Sequence, residues 1–265
     1  MDCPPAAYDM GLIKAMTAMT ARGRSRLLRP DGQGRSLDPY RICKLRYALV
    51  RIGAVHGIGR SGASMMGVFN MSQSLMNPAI VSIFDFLEVH PDQNRYVVYS
   101  YFGQKHTETR TGESHENVVS LSLGPLDCEI LTAFPLQEFW NRQQCRVFAV
   151  AVLGLTDKMT GCAAVADTAI SFDPDEEPSR VRIMARLKAM GMLSIYVGKC
   201  EASISWGAVR AWVKGRELGG HLINWHGSTY NHPLITVNLN WLATRYREVD
   251  TGVEVSIEVA RLVKT

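Results

Sequence analysis

Long apolar runs are missing from this chain. The longest, residues 147–155 (VFAVAVLGL), is about half of what a membrane-spanning helix needs. Residues 1–20 hold Asp2, Asp9 and Lys14 and no apolar core of the signal-peptide type, so synthesis in the cytosol is expected. Cysteines are few and scattered. Cys3, Cys43, Cys128, Cys145, Cys162 and Cys200 include no CxxC pair and no Cys/His spacing of the zinc type, and free thiols are expected. GxSxG, HExxH and P-loop motifs are absent. The closest histidines, His221, His226 and His232, have no carboxylate between them and read as a polar loop rather than a metal site. No nucleophile, base and orienter come together in the sequence, so no catalytic residue, metal or cofactor is assigned.

What is present is a chain of 265 residues with 46% hydrophobic and 20% charged residues, enough to bury a sizeable core and unlike a disordered or low-complexity chain. The net charge of +4 conceals a strong asymmetry. Residues 1–60 hold 11 Lys and Arg against 4 Asp and Glu, and residues 180–216 hold 8 against 1. Residues 85–138 hold 3 against 9. This pattern offers basic surfaces to a polyanion, membrane phosphate or nucleic acid, and an acidic face to another copy of the chain.

Residues 1–40 read as a basic flexible arm, with Arg22, Arg24, Arg26 and Arg29 among Gly, Ser and Pro, and with a short helix over 10–20. Residues 41–125 read as an N-terminal β-sandwich domain. Strand-like runs at 79–89, 95–102 and 117–123 are separated by turn clusters and closed by Gly124-Pro125. Residues 126–145 have partly helical spacing at Leu126, Ile130, Leu131, Phe134, Leu136, Phe139 and Trp140, and read as a junction with a short helix. Residues 146–265 read as a C-terminal β-sandwich domain with a basic face. Its last run alternates Val253, Val255, Ile257 and Val259 with Glu254, Ser256 and Glu258, as a half-buried strand does. The fold class is mainly β, two antiparallel β-sandwich domains with a few short helices.

The sharpest local motif is Gly57-Ile58-Gly59-Arg60-Ser61-Gly62, a GxGxxG after a strand-like run, with Asp85 further on where a ribose-binding carboxylate would sit. The stretch 63–76 after it is poor in helix formers, and a Gly/Ser/Met loop between strands fits it better than the helix of a dinucleotide-binding enzyme. Met65, Met66, Phe69 and Met71 make this stretch too apolar for a freely solvated loop and mark it for self-association. Trp206, Trp212, Trp225 and Trp241 are interleaved with Arg210, Lys214, Arg216 and Arg245, a mixture that suits stacking on bases or a lipid interface. A patch drawn from Arg180, Arg182, Arg186, Lys188, Lys199, Arg210, Lys214 and Arg216 would bind a membrane or another polyanion. Pro4, Pro5 and Tyr8 form a spacing one residue too long for the PPxY motif that a WW-domain host protein grips.

The order CEI (128–130), RVFAVAVLGLTDKMTG (146–161), CAAVADTAISF (162–172), LKAMGMLSIYVG (187–198) and PLITVNLNWLATRYREV (233–249) resembles matrix proteins of non-segmented negative-strand RNA viruses, of the pneumovirus and paramyxovirus type. The resemblance covers residues 128–265 at the level of pattern; the arginine-rich N-terminus departs from it. It implies a structural protein rather than an enzyme, self-associating as dimers and arrays under a viral envelope. Anionic inner-leaflet lipid and the viral nucleocapsid are its implied partners, with assembly and budding as its role. The implied locations are the virion, the host cytoplasm and the inner face of the host membrane, with nuclear transit left open. A nucleic-acid-binding viral protein of the movement type, with RNA as partner, stands as the alternative that uses the N-terminal arginines most directly. A dinucleotide-binding enzyme using Gly57, Gly59 and Gly62 is the third.

Overall fold

The computed structural model describes residues 10–20, 23–31, 35–36, 47–59, 62–86, 93–111, 117–140, 146–173, 180–198, 205–225, 234–241 and 252–262. A short helix, α1 (Met10–Met16), leads into β1 (Thr17–Met19), β2 (Ser25–Leu27), β3 (Arg35–Ser36), β4 (Tyr47–Val55), β5 (Ala63–Asn70) and β6 (Asn77–Ser82). Next come β7 (Arg95–Ser100), β8 (Lys105–Arg110), β9 (Val118–Leu123), β10 (Cys128–Pro135) and β11 (Gln137–Trp140). The remainder comprises β12 (Arg146–Leu155), β13 (Val165–Asp173), β14 (Arg180–Leu187), β15 (Met192–Val197), β16 (Ser205–Val213), β17 (Arg216–Glu217), β18 (Ile223–Trp225), β19 (Leu234–Asn238) and β20 (Val253–Leu262).

The protein is mainly β, and the strand pairs among the described residues are antiparallel. A six-stranded sheet runs β3-β4-β5-β10-β7-β8, with a two-stranded sheet β6-β9 beside it. An inner five-stranded sheet runs β11-β12-β15-β19-β18 and an outer one β13-β14-β20-β16-β17. Successive side chains on a strand point to opposite faces, so burial along each strand tells which faces are covered. In β14 the pattern alternates strictly, as one wet face requires, whereas β5 and β10 are buried almost throughout. Met66, Val68, Tyr96, Val98, Leu131 and Ala133 of the six-stranded sheet pack under Ala79, Val81, Val119 and Leu123 of β6-β9. On its opposite face Met65, Val97 and Phe134 join the core that also holds Ala149, Ile195 and Ile235 of the inner sheet and Ile183, Ala211 and Ile257 of the outer one.

That shared core changes the reading of 126–145. The stretch carries no helix in its described part. β10 lies between β5 and β7 at the centre of the six-stranded sheet, and one residue, the buried Leu136, separates it from β11 in the inner sheet. A strand covered on both faces is apolar at successive positions, and such a run mimics helical spacing. Residues 63–70 are likewise strand β5 rather than loop, and 180–187 are strand β14. The N-terminal stretch also differs from a free arm where it is described. Ala18 and Leu28 are buried in the shared core, Met19 bridges Met190, and Asp31 bridges Ala54.

Polar contacts tie the layers together. Arg95 of β7 pairs with Glu108 of β8 and with Glu138 of β11, the latter at 2.7 Å. The Tyr196 hydroxyl of the inner sheet donates to Glu108 at 2.6 Å. Glu129 is buried and accepts from the Ser100 hydroxyl and from the amides of Phe102, Gly103 and Ile130, which fixes the turn after β7. A buried carboxylate needs such a full set of donors.

Candidate functional site

Eight basic residues from 180–216 were the expected polyanion site. Arg180, Arg182 and Arg186 of β14 and Arg210 of β16 do share the outward face of the outer sheet, since Val181, Ile183, Ala185 and Ala211 between them are buried. Lys214 and Gly215, both at positive φ, form the β16–β17 turn, with Arg216 next to it. Lys188 follows β14 and is half-buried, and Lys199 lies outside the described residues.

Strand pairing then inserts acids between these cations. β20 lies between β14 and β16, with Glu258 opposite both Arg182 and Arg210 and Glu254 opposite Arg186. Glu258 pairs with Arg180 at 3.0 Å and Arg182 at 3.3 Å, Asp167 with Arg186 at 3.6 Å, and Glu217 with Arg210 at 3.8 Å. The four outward arginines thus face four carboxylates, Asp167, Glu217, Glu254 and Glu258, all of which lie outside 180–216 in sequence. Between the charged rows runs a less polar one, Ala169, Met184, Ser256 and Trp212 in register. Trp212 therefore points outward beside Arg210, while the side chain of Trp206 lies outside the described residues.

The N-terminal cations sit differently. Lys14, Arg24, Arg26 and Arg29 are exposed around α1 and the β1–β2 hairpin, and no acid occurs between Met10 and Pro30. Arg22 lies outside the described residues, as do Pro4, Pro5 and Tyr8.

The expected self-association residues divide. Met65 and Met66 are fully buried on opposite faces of β5, one in the shared core and one under β6-β9, and so are closed to a partner. Phe69 is half-buried and Met71 is exposed. The exposed apolar residues of this region lie just beyond. Leu75, Met76, Ile80, Phe84 and Leu126 are all exposed. Residues 71–84 and 117–126, which build β6, β9 and their turns, contain no charged residue. Scanning for charge-free runs would have found this surface; scanning for methionine found its buried neighbours.

Asn70 organises these loops. It is buried, its amide nitrogen donates to the carbonyls of Leu75, Leu123 and Gly124 at 2.9, 3.1 and 2.6 Å, and its oxygen accepts from Ser72 N and Asn77 Nδ2. On β6 the outward Pro78 and Ile80 lie opposite Ser122 and Ser120 of β9. The main chain of Ile80 is occupied by Tyr47, whose hydroxyl donates to Ile80 O at 2.9 Å and accepts from Ile80 N at 3.4 Å. What this region offers a partner is therefore its face, not a strand edge.

Gly57–Gly62 does not fit the dinucleotide-binding alternative. It spans the turn between antiparallel β4 and β5, where a dinucleotide fold would need a strand-to-helix turn. The glycine at 57 answers to packing, because a Cβ there would come within 2.1 Å of Ala166 O. Gly59 N and Gly57 O both bond the Thr168 hydroxyl, docking the turn on β13. Among the described residues no group of His, Cys, Asp and Glu has metal-binding geometry. Burial pushes the Cys162 thiol up to about 12, and burial first, then Asp127, raises Cys128. No protein-family model matches this chain, and no curated protein sequence matches it.

Proposed function

We propose that the chain is a structural protein of the matrix type, which self-associates into a layer on an anionic membrane and contacts a nucleocapsid from the other side. The observation that carries the reading is the uncharged, apolar face of β6-β9. Solvated surfaces of single chains seldom leave so many large apolar residues together, and interface cores are depleted of charge in just this way. A face without charge is complementary to itself. The occupied main chain of Ile80 directs the contact to face-to-face packing, and the small Ser120 and Ser122 beside Pro78 and Ile80 permit close approach.

Analytical ultracentrifugation at micromolar concentration tests this. The wild-type chain is expected to sediment as a dimer or larger species, and an Ile80→Glu/Phe84→Glu chain as a monomer with unchanged thermal stability, because both side chains are more than half exposed. A wild-type chain that remains monomeric at high micromolar concentration overturns the reading.

A further inference from the structure

Helices in folded proteins are held by burying an apolar stripe. α1 is held another way. None of its residues is buried, and Met10, Leu12 and Ile13 are 57%, 46% and 39% exposed. Its anchorage is the main chain. The last four carbonyls of a helix have no partner within it. Here Ile13 O accepts from the Thr17 hydroxyl at 2.8 Å and Lys14 O from Lys158 Nζ at 3.1 Å. Ala15 O accepts from Met159 N at 2.8 Å and Met16 O from Leu28 N at 3.0 Å. The β1–β2 hairpin continues the arrangement, burying Ala18 and Leu28 and exposing Met19 and Leu27. The unit is thus fixed to the body by backbone bonds and two small anchors, with its aliphatic side chains turned to solvent.

Exposed cations lie in the same unit, Lys14 on α1 and Arg24, Arg26 and Arg29 in and beside the β1–β2 hairpin, and no acid intervenes from Met10 to Pro30. Aliphatic residues rimmed by Lys and Arg are what an element lying in the headgroup region of an anionic bilayer requires. Single-stranded RNA would use the arginines but gains its further affinity from aromatic stacking, and residues 10–30 contain no aromatic side chain. The outer sheet, with its arginines matched by carboxylates, lacks this excess charge. We propose that α1 with the β1–β2 hairpin is the membrane-docking element, seated on anionic phospholipid headgroups with Met10, Leu12, Ile13, Met19 and Leu27 at the acyl boundary. This rests on the matrix-type reading only in placing the layer on a membrane.

Flotation of the full chain with vesicles of phosphatidylcholine alone, or mixed with phosphatidylserine, is the test. The wild-type chain is expected on the mixed vesicles only, with binding that weakens as salt rises. Arg24→Gln/Arg26→Gln/Arg29→Gln should weaken binding on the order of 100-fold. Leu12→Ser/Ile13→Ser should weaken it about tenfold or more, and Arg182→Gln/Arg186→Gln should leave it within about twofold. If the Leu12→Ser/Ile13→Ser chain melts below wild type, Met10→Ser carries the same measurement. The proposal is overturned if the wild-type chain ignores phosphatidylserine, or if only the Arg182/Arg186 chain loses binding. It is also overturned if the arginine chain loses binding while the Leu12/Ile13 chain does not, which is the signature of a general polyanion contact such as RNA. Sedimentation of the same samples separates the two readings: self-association without vesicle binding refutes the docking element and leaves the self-associating layer standing.

Discussion

The outward faces of β6-β9 and of the outer five-stranded sheet are made of the same antiparallel structure and present opposite chemistry. The first comes from two stretches without a single charge, 71–84 and 117–126, and exposes Met76, Ile80 and Phe84. The second interleaves arginines of β14 and β16 with glutamates of β20, so that each charge meets its opposite across the sheet. Exposed pairs of this kind contribute at most about 1 kcal/mol each, but they keep the face solvated and nearly neutral. The apolar face has no such device, and it is there that the proposed contact with a second copy of the chain would form. A surface is therefore defined by which strands become neighbours, and a basic stretch of chain need not make a basic face.

The comparison presumes that both faces belong to one cooperative body, and alkaline unfolding is the strongest way to break that premise. Burial pushes Cys162 from 9.0 up to about 12 and Tyr99 from 10.0 up to about 12. Both lie in the core that joins the six-stranded sheet to the two five-stranded ones. Folded-state values above the unfolded ones favour the protonated forms, so their stabilisation is complete below pH 9 and disappears as pH rises towards 12. The loss should amount to a few kcal/mol, seen as a falling urea midpoint with a single transition by every probe. Cys162→Ala should delay the onset of the fall to about pH 10, where Tyr99 takes over. Two separate transitions would divide the molecule into independent halves.

Asn70→Ala comes next in size. The substitution removes the partners of three backbone carbonyls and of Ser72 N in a buried setting, which should cost about 3 kcal/mol. Because the same contacts hold Ser72, Leu75 and Asn77 against Leu123 and Gly124, self-association should weaken with it, even at temperatures where the chain stays folded. Unaltered sedimentation in a destabilised Asn70→Ala chain would separate the apolar face from its supporting loops.

The parts of this molecule that were legible in the sequence are those with one wet face. The alternation of Val253, Val255, Ile257 and Val259 with Glu254 and Glu258 reads directly as the half-buried β20. Gly124-Pro125 reads as the turn between β9 and β10. Legibility fails where a strand is buried on both sides: β10 lost its alternation and passed for helix, and β5 passed for a loop. It fails again where function depends on long-range pairing. The excess of charge in 180–216 is real along the chain, yet Asp167, Glu254 and Glu258 reach it only through the sheet. The exposed side chains of α1 were hidden for a related reason. Their anchors, Lys158 and Met159, lie more than 140 residues downstream.

The smallest effect on stability gives the sharpest test of the balanced face. Glu254→Gln/Glu258→Gln keeps the shape of both side chains and removes two of the four carboxylates that face Arg180, Arg182, Arg186 and Arg210. Glu258 is the less exposed of the two and holds two arginines, so the pair of substitutions should cost about 1 kcal/mol, within reach of a denaturant melt. Polyanion binding should change much more. Heparin-column retention of a chain lacking Arg24, Arg26 and Arg29 isolates the outer sheet, and this background should elute early with Glu254 and Glu258 in place. Adding Glu254→Gln/Glu258→Gln should shift elution to higher salt, since the face then carries a net positive charge that the glutamates had cancelled. If the background chain is already retained strongly and the glutamines add nothing, the arginines of β14 and β16 act on polyanions in spite of their partners, and the charge contrast between the outer sheet and the N-terminal unit disappears.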